Sequence, residues 1–165
     1  MKKSLVVYDS KYGNTELVAK TIAAELSVNF ENQLLYVEAV SDQDLMEAEL
    51  LVIGSPTHGG RPTAMIQKLI DRIIDISTDQ QKCACFDTRY AEENVDWNLR
   101  MLMNVIGFAA PKMAEKLEES GRQEVLAYEG FIVTERDGPL QSGELDRVRA
   151  WAQQVMARAE NFSQE

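Results

Sequence analysis

Short apolar runs alternate with amphipathic helical patterns along almost the whole chain, and this alternation limits the folds available to it. Runs this apolar are typical of strands covered on both faces, as in a parallel sheet with crossover helices. We therefore predict an α/β protein, a doubly wound three-layer sandwich with a five-stranded parallel sheet. The predicted strands are 4–8, 34–38, 50–54, 82–86 and 124–133.

Helical spacing of apolar residues fills the intervals between these strands, most clearly in 17–26, 65–74 and 145–156. Pro62 and Pro111 suit a first helical turn, and Ser142 suits a helix cap. The simplest arrangement has five strands and five helices. The chain of 165 residues has ordinary globular composition, which predicts a single domain, 1–165.

Charge and composition exclude several classes of protein. The net charge of -10 argues against nucleic acid or an anionic membrane as a partner. No leader pattern opens the sequence and no apolar run approaches the roughly 18 residues of a membrane span, so we expect a cytoplasmic protein. One histidine and the lack of a Cys/His cluster argue against a transition-metal site. Cys83 and Cys85 are too close in sequence for a relaxed disulfide, and we expect buried thiols.

The loop after the first predicted strand, "DSKYGNT" at residues 9–15, is rich in hydroxyl and amide groups and runs into a helical pattern. Ligands in doubly wound folds bind beyond the carboxyl ends of the strands. A helix N-terminus there can hold a phosphate. The loop lacks the Gly-Lys-Ser/Thr of a P-loop and the three-glycine spacing of a dinucleotide fingerprint. From the loop alone, a phosphate site and an ordinary turn capped by Ser10 and Thr15 both remain open.

Three loops, in order, resemble the flavin loops of the flavodoxin family. "IGSPTHGGRPTAMIQKLID", residues 53–71, is similar to the second loop and its helix, and "CFDTRY", residues 85–90, to the third. "GELDRVRAWAQQV" is similar to the last helix of short flavodoxin-like proteins. The resemblance covers nearly the whole chain and implies the strand order 2-1-3-4-5. In the first loop it rests on Val6, Val7, Tyr8, Ser10, Gly13, Thr15 and Ala19.

The resemblance implies that the chain binds FMN, and it assigns residues to each part of the cofactor by position. His58 and two glycines stand where the family usually has a tryptophan, which leaves Tyr90 or Trp97 to stack on the ring. No residue is assigned a catalytic role. The residues expected around the phosphate are Ser10, Lys11, Tyr12, Gly13, Asn14 and Thr15; along the ribityl chain and ring edge, Pro56, Thr57, His58 and Gly59; and beside the ring, Asp87, Thr88, Arg89 and Tyr90.

The segment 91–110 is longer than an ordinary link from a strand to a helix. It would leave the sheet on the side where the ring should lie. It predicts either an extra helix packed on the domain or an apolar cover or homodimer contact beside the flavin. Its large apolar residues are Trp97, Leu99, Met101, Leu102, Met103, Val105, Ile106 and Phe108.

Two functions agree with these features. The first is an FMN-binding flavodoxin-like electron-transfer protein, whose acidic surface docks on redox partner proteins. The second is an FMN-dependent NAD(P)H:quinone-type reductase acting on small quinone-like acceptors. Acidity favours the carrier, whereas His58, Arg61 and Arg89 favour the reductase. We predict the carrier; a flavin-free binding module is a third, less favoured reading. A phosphotransfer receiver domain is excluded, because the third predicted strand ends without a phosphoacceptor Asp.

Overall fold

The computed structural model describes residues 1–76, 81–91 and 95–161. The described part forms a parallel sheet with helices on both faces, and the strand order is β2-β1-β3-β4-β5, with β6 also paired to β4. The predicted α/β class and the 2-1-3-4-5 order are confirmed. The elements are β1 (Lys3–Tyr8), α1 (Asn14–Leu26), β2 (Glu31–Tyr36), a 3-10 turn (Val37–Ala39), α2 (Asp42–Glu47), β3 (Leu50–Pro56), α3 (Ala64–Asp75), β4 (Lys82–Tyr90), α4 (Trp97–Ile106), α5 (Ala109–Glu119), β5 (Gln123–Glu124), β6 (Glu129–Val133) and α6 (Glu144–Asn161).

Alternate residues of the central strands face two separate apolar layers, as the period of two in a strand requires. Val6 and Phe86 pack in the layer formed by α1 and α6. Val7 and Cys85 pack in the opposite layer, with α3 and α5. Both cysteines are buried free thiols, as predicted, and burial raises the pKa of Cys83 to about 12.

The fourth and fifth positions of the sheet differ from the prediction. β4 was expected over 82–86 but continues to Tyr90, because its second half pairs with β6. The residues 87–90, expected in a loop, therefore belong to a strand. The fifth position, predicted as one strand over 124–133, is divided into β5 and β6, which pair with the two halves of β4.

Smaller differences concern the sheet edge and the helix starts. β2 begins at Glu31 rather than at 34, because its polar first half is held by backbone pairing with β1 and needs no apolar side chains at this edge. Pro111 lies in the first turn of α5, as predicted. Pro62 precedes the cap of α3, Thr63. Ser142 is not a cap, since α6 begins two residues later.

Two findings apply to the described ranges only. No helix there has the length and apolar character needed to cross a membrane. No group of three or more His, Cys, Asp or Glu side chains there could hold a metal ion.

Candidate flavin site

A cavity of about 590 Å³ opens at the carboxyl ends of β1, β3 and β4. The strand order reverses between β1 and β3, so the cavity lies at the switch point where doubly wound folds bind ligands. It brings together parts of all three predicted loops. The predicted residues in its wall are Ser10, Lys11, Tyr12, Asn14, Thr15, Pro56, Thr57, His58, Gly59, Thr88, Arg89 and Tyr90.

The loop between β1 and α1 presents free backbone donors at this cavity. Gly13 adopts a left-handed conformation with φ +91, and its N–H donates to Ser10 Oγ at 3.0 Å. The N–H groups of Tyr12, Asn14 and Thr15 make no hydrogen bond to the described part of the chain. They lie at the start of a 13-residue helix, whose dipole favours an anion. Free N–H donors with this dipole fit a phosphate group.

Two side-chain contacts hold this loop in place. Thr15 Oγ1 lies 2.8 Å from Thr88 Oγ1, and both side chains are buried. Asn14 Nδ2 donates to the carbonyl of Asp137 at 3.1 Å. The loop is therefore anchored to β4 and to the segment after β6 before any ligand binds. Gly13 itself does not reach the cavity wall, and its role is to shape the loop.

The second loop makes a tight turn at the cavity wall. His58 and Arg61 exchange backbone hydrogen bonds of 2.9 and 3.1 Å. Gly59 and Gly60 have φ of 57 and 75, and a type I′ turn requires positive φ at both central residues. The "HGGR" sequence thus specifies this turn. Burial lowers the pKa of His58 below its usual value, and Lys11 lowers it further, so the imidazole is neutral at pH 7.

Helix α4 packs directly on this turn. A Cβ on Gly60 would lie 1.9 Å from Ile106 Cγ2, so only glycine permits the contact. Lys112 Nζ donates to the carbonyls of Gly60 and Ile106 at 2.6 and 2.5 Å. One ammonium group therefore joins the turn to the end of α4.

Asp87 lies behind the cavity wall, outside the lining where the sequence placed it. Its side chain is fully buried and faces α5, because it alternates with Thr88 and Phe86 along β4. Its carboxylate accepts from Arg89 Nε and Nη2 at 2.6 and 2.7 Å and from the N–H of Ala110 at 2.8 Å. Burial raises the pKa of Asp87, and Arg89 opposes that rise.

Arg89 is the part of this network that reaches the cavity. Its guanidinium carbon lies 3.8 Å from the ring centroid of Phe108. A Cβ on Gly130, in the neighbouring strand, would lie 2.1 Å from Arg89 Nε. The guanidinium is thus bonded to the carboxylate of Asp87, which balances its charge, and it packs on the ring of Phe108. Gly130 leaves the space that the side chain of Arg89 occupies.

Of the two aromatic residues predicted to stack on the ring, only one lies at the cavity. Tyr90, at the end of β4, lines the cavity. Trp97, at the start of α4, is 70% exposed and does not line it. Tyr90 therefore remains as the candidate, and Tyr12 and Phe108 are further aromatic side chains in the wall.

The described part of the insertion, residues 91 and 95–110, is mostly helix α4, and residues 92–94 lie outside the described ranges. None of the residues of α4 is buried. Leu99, Leu102, Met103 and Ile106 line the cavity. Their spacing of three, four and seven places them on one face of the helix. The segment thus forms an apolar wall beside the site.

Nine residues of the cavity wall were not assigned to the cofactor from the sequence. Five of them, Leu99, Leu102, Met103, Ile106 and Phe108, lie in the segment 91–110, for which an apolar cover beside the flavin was one of the predicted alternatives. Arg136 had no signal, because it lies in a polar turn. The nine residues are Gly60, Leu99, Leu102, Met103, Ile106, Gly107, Phe108, Val133 and Arg136.

A phosphate-type loop after β1, with two more loops converging on the same switch point, defines a mononucleotide-binding α/β protein. The flavodoxin family model matches residues 6–151. The chain therefore belongs to the flavodoxin family of FMN-binding electron-transfer proteins.

Individual relatives agree with this assignment. A flavodoxin of Clostridium saccharobutylicum is 32% identical over 88 residues, which cover 52% of this chain and 55% of the relative. A flavodoxin of Aquifex aeolicus is 32% identical over 76 residues, 45% of this chain and 41% of the relative. The matched segments thus span about half the length of these curated relatives.

Solved structures share the fold at lower identity. A flavodoxin from the domain Archaea superposes with a TM-score of 0.72 at 21% identity, covering 96% of this chain and 99% of that one. Flavodoxin 2 from Bacillus cereus has a TM-score of 0.75 at 20% identity, covering 94% and 99%. At these identities the likeness establishes the fold.

Proposed function

We propose that this chain binds one FMN in the cavity and acts as an electron carrier between redox partner proteins. The observation that carries the proposal is the loop 10–15, whose free N–H donors lie at one end of a cavity lined by all three flavin-type loops. The proposal includes a single domain over 1–165 and a cytoplasmic location, both expected from the sequence.

Bound FMN would supply reversible transfer of one or two electrons. The residues of the chain would bind and orient it. The N–H groups of Tyr12, Asn14 and Thr15 would hold the phosphate, and the turn at His58 would border the ring edge. Tyr90 would stack on the ring, and the apolar face of α4 would exclude water from it.

The state of Arg89 supports the carrier over the reductase. A free guanidinium beside the ring would stabilise negative charge on the reduced cofactor, which suits two-electron reduction by a hydride donor. Here Asp87 already balances that charge through two hydrogen bonds. His58 is a neutral side chain at the wall. The reductase, with small quinone-like acceptors, remains the second candidate, and the apolar wall of α4 favours it.

Anaerobic reduction of the purified protein loaded with FMN tests this proposal. We expect NADH and NADPH to leave the absorbance of the bound flavin unchanged, while dithionite bleaches it. The reduced protein should then pass electrons to a basic protein such as cytochrome c, more slowly as salt is added. Fast bleaching by either nicotinamide would support the reductase. Failure to bind FMN would contradict both.

We also propose that α4 makes a homodimer contact through its outward face. Trp97, Met101 and Val105 are spaced four residues apart and are exposed, Val105 by 83%. A helix that is apolar on two faces usually has both covered. The cavity covers one face, and a second copy of the chain would cover the other.

Sedimentation of the double variant Met101→Glu/Val105→Glu tests the contact. We expect the unaltered protein to be a dimer and the variant a monomer that still binds flavin, since neither residue lines the cavity. The control is Val28→Glu, which alters an exposed apolar residue after α1 and should leave the dimer intact. An unaltered protein that sediments as a monomer at high concentration would rule the contact out.

A further inference from the structure

The segment after β6 folds into a small hairpin whose tip reaches the cavity. The N–H of Thr134 donates to the carbonyl of Pro139 at 2.9 Å. Inside that pair, the N–H of Gly138 donates to the carbonyl of Glu135 at 3.1 Å. This second bond closes a four-residue turn in which Arg136 is the second residue. Arg136 therefore projects from a hydrogen-bonded turn.

The tip of this hairpin is fixed against the phosphate-type loop. Asn14, the first residue of α1, donates through Nδ2 to the carbonyl of Asp137. A Cβ on Gly138 would lie 2.4 Å from Asn14 Oδ1, and Gly138 has a φ of +99, so both the contact and the backbone require glycine. Arg136 is the immediate neighbour of the residue that Asn14 binds. The turn thus fixes the backbone next to Arg136 at the start of α1, and the side chain of Arg136 lines the cavity.

The charges that line the cavity differ in sign from the chain as a whole. The net charge is -10, yet no Asp or Glu side chain lines the cavity in the described ranges. Three cations do: Lys11, Arg89 and Arg136. Arg89 is balanced by Asp87. Lys11 and Arg136 form no ion pair with the described residues. Lys11 lies in the loop after β1 and Arg136 in the hairpin after β6, and Asn14 joins this loop to the hairpin.

We propose that Arg136, assisted by Lys11, binds the terminal phosphate of the cofactor and makes the site selective for FMN over riboflavin. The inference rests on the function proposed above. A phosphate monoester carries a charge of about -1.5 to -2 at pH 7, and a guanidinium can bind two of its oxygens at once. The backbone donors of loop 10–15 would hold the same group from the side of α1. The segment after β6 thereby becomes a fourth cofactor-binding loop.

Titration of flavin fluorescence with Arg136→Gln tests this role. We expect the Kd for FMN to rise about ten- to hundredfold, the usual effect of losing a hydrogen bond to a charged group. The Kd for riboflavin should stay within about twofold, because riboflavin lacks the phosphate that Arg136 would bind. Added salt should weaken FMN binding less in the variant than in the unaltered protein. Arg136→Lys should restore part of the affinity, since it keeps the charge but loses the planar fork.

Two further variants sharpen the test. Arg158→Gln removes the same charge from the exposed end of α6 and should leave both Kd values unchanged. That end lies at the amino ends of the strands, away from the cavity at their carboxyl ends, since Lys82, the first residue of β4, donates to the carbonyl of Ala159 at 2.7 Å. Asn14→Ala should weaken FMN more than riboflavin, because it frees the hairpin that carries Arg136.

The inference is overturned if Arg136→Gln leaves FMN binding unchanged or weakens FMN and riboflavin equally. If the unaltered protein binds neither flavin, the proposed function fails, and inorganic phosphate then decides the role of Arg136. Chemical-shift changes at Arg136 Nε and at the amides of Tyr12 and Thr15 during a phosphate titration would support it. The absence of a change at Arg136 would refute it.

Discussion

Replacement of Asp87 with Ala is expected to lower the free energy of unfolding by about 3–5 kcal/mol, which is typical of breaking a buried ion pair. The carboxylate is fully buried, and it accepts two hydrogen bonds from Arg89 and one from the N–H of Ala110. Its removal leaves a mostly buried guanidinium and a helix N-terminus without their acceptor. Urea denaturation of the flavin-free protein at pH 7 measures the loss.

An exposed ion pair provides the control. Asp42 pairs with Arg72 at 2.6 Å, but both side chains are largely exposed. Asp42→Ala should therefore cost no more than about 1 kcal/mol. Asp87→Asn keeps one oxygen acceptor, so its loss in free energy of unfolding should fall between those of Asp87→Ala and Asp42→Ala. If Asp87→Ala and Asp42→Ala cost the same, the buried network does not stabilise this part of the fold.

Loss of the Phe86 side chain is expected to reduce the free energy of unfolding by about 3–5 kcal/mol as well, for a different reason. Phe86 is fully buried, and its ring lies 6.2 Å, between centroids, from the rings of both Phe131 and Trp151. Alanine would leave a cavity between the sheet and α6. The control is Val28→Ala, which alters an exposed side chain. Its free energy of unfolding should stay within about 0.5 kcal/mol of that of the unaltered protein.

Gly54, in the neighbouring strand β3, faces the ring of Phe86, so a substitution there tests how tightly this part of the core is packed. A Cβ there would lie 2.0 Å from Cζ of Phe86, so Gly54→Ala should cost about 1–3 kcal/mol through overpacking. The two changes are coupled, because the new methyl group enters space that the ring occupied. The double variant should lose less than the sum of the single variants. Strict additivity in urea denaturation would show that the two residues do not compete for space.

Local patterns were sufficient to predict the elements whose residues carry their own signal. The central strands β1, β3 and the first half of β4 are continuous apolar runs, and such runs need burial on both faces wherever they lie. The turn at 58–61 was not predicted, although its cause is also local, since Gly59 and Gly60 permit positive φ at adjacent positions. The loop 10–15 carried a local signal as well, because it combines hydroxyl groups, a glycine and the start of a helical pattern.

Prediction failed where an element depends on a distant partner. The residues 87–90 read as a loop because they are polar, yet they form a strand because β6 supplies backbone hydrogen bonds. Asp87 was placed at the ring, since a loop does not show the alternation that turns its side chain toward α5. Likewise, β2 started earlier than predicted because backbone pairing with β1 holds its polar residues.

The sequence by itself determined the α/β class, because apolar runs alternate with helical patterns along the chain, and its resemblance to the flavodoxin family supplied the family and the strand order. Only the tertiary structure decided which cations face the cavity uncompensated. Arg89 and Arg136 look alike in the sequence, but Asp87 balances one, while a turn held by Asn14 carries the other to the cavity. The charge that a ligand meets depends on contacts between residues far apart in the chain, and no local pattern encodes those contacts.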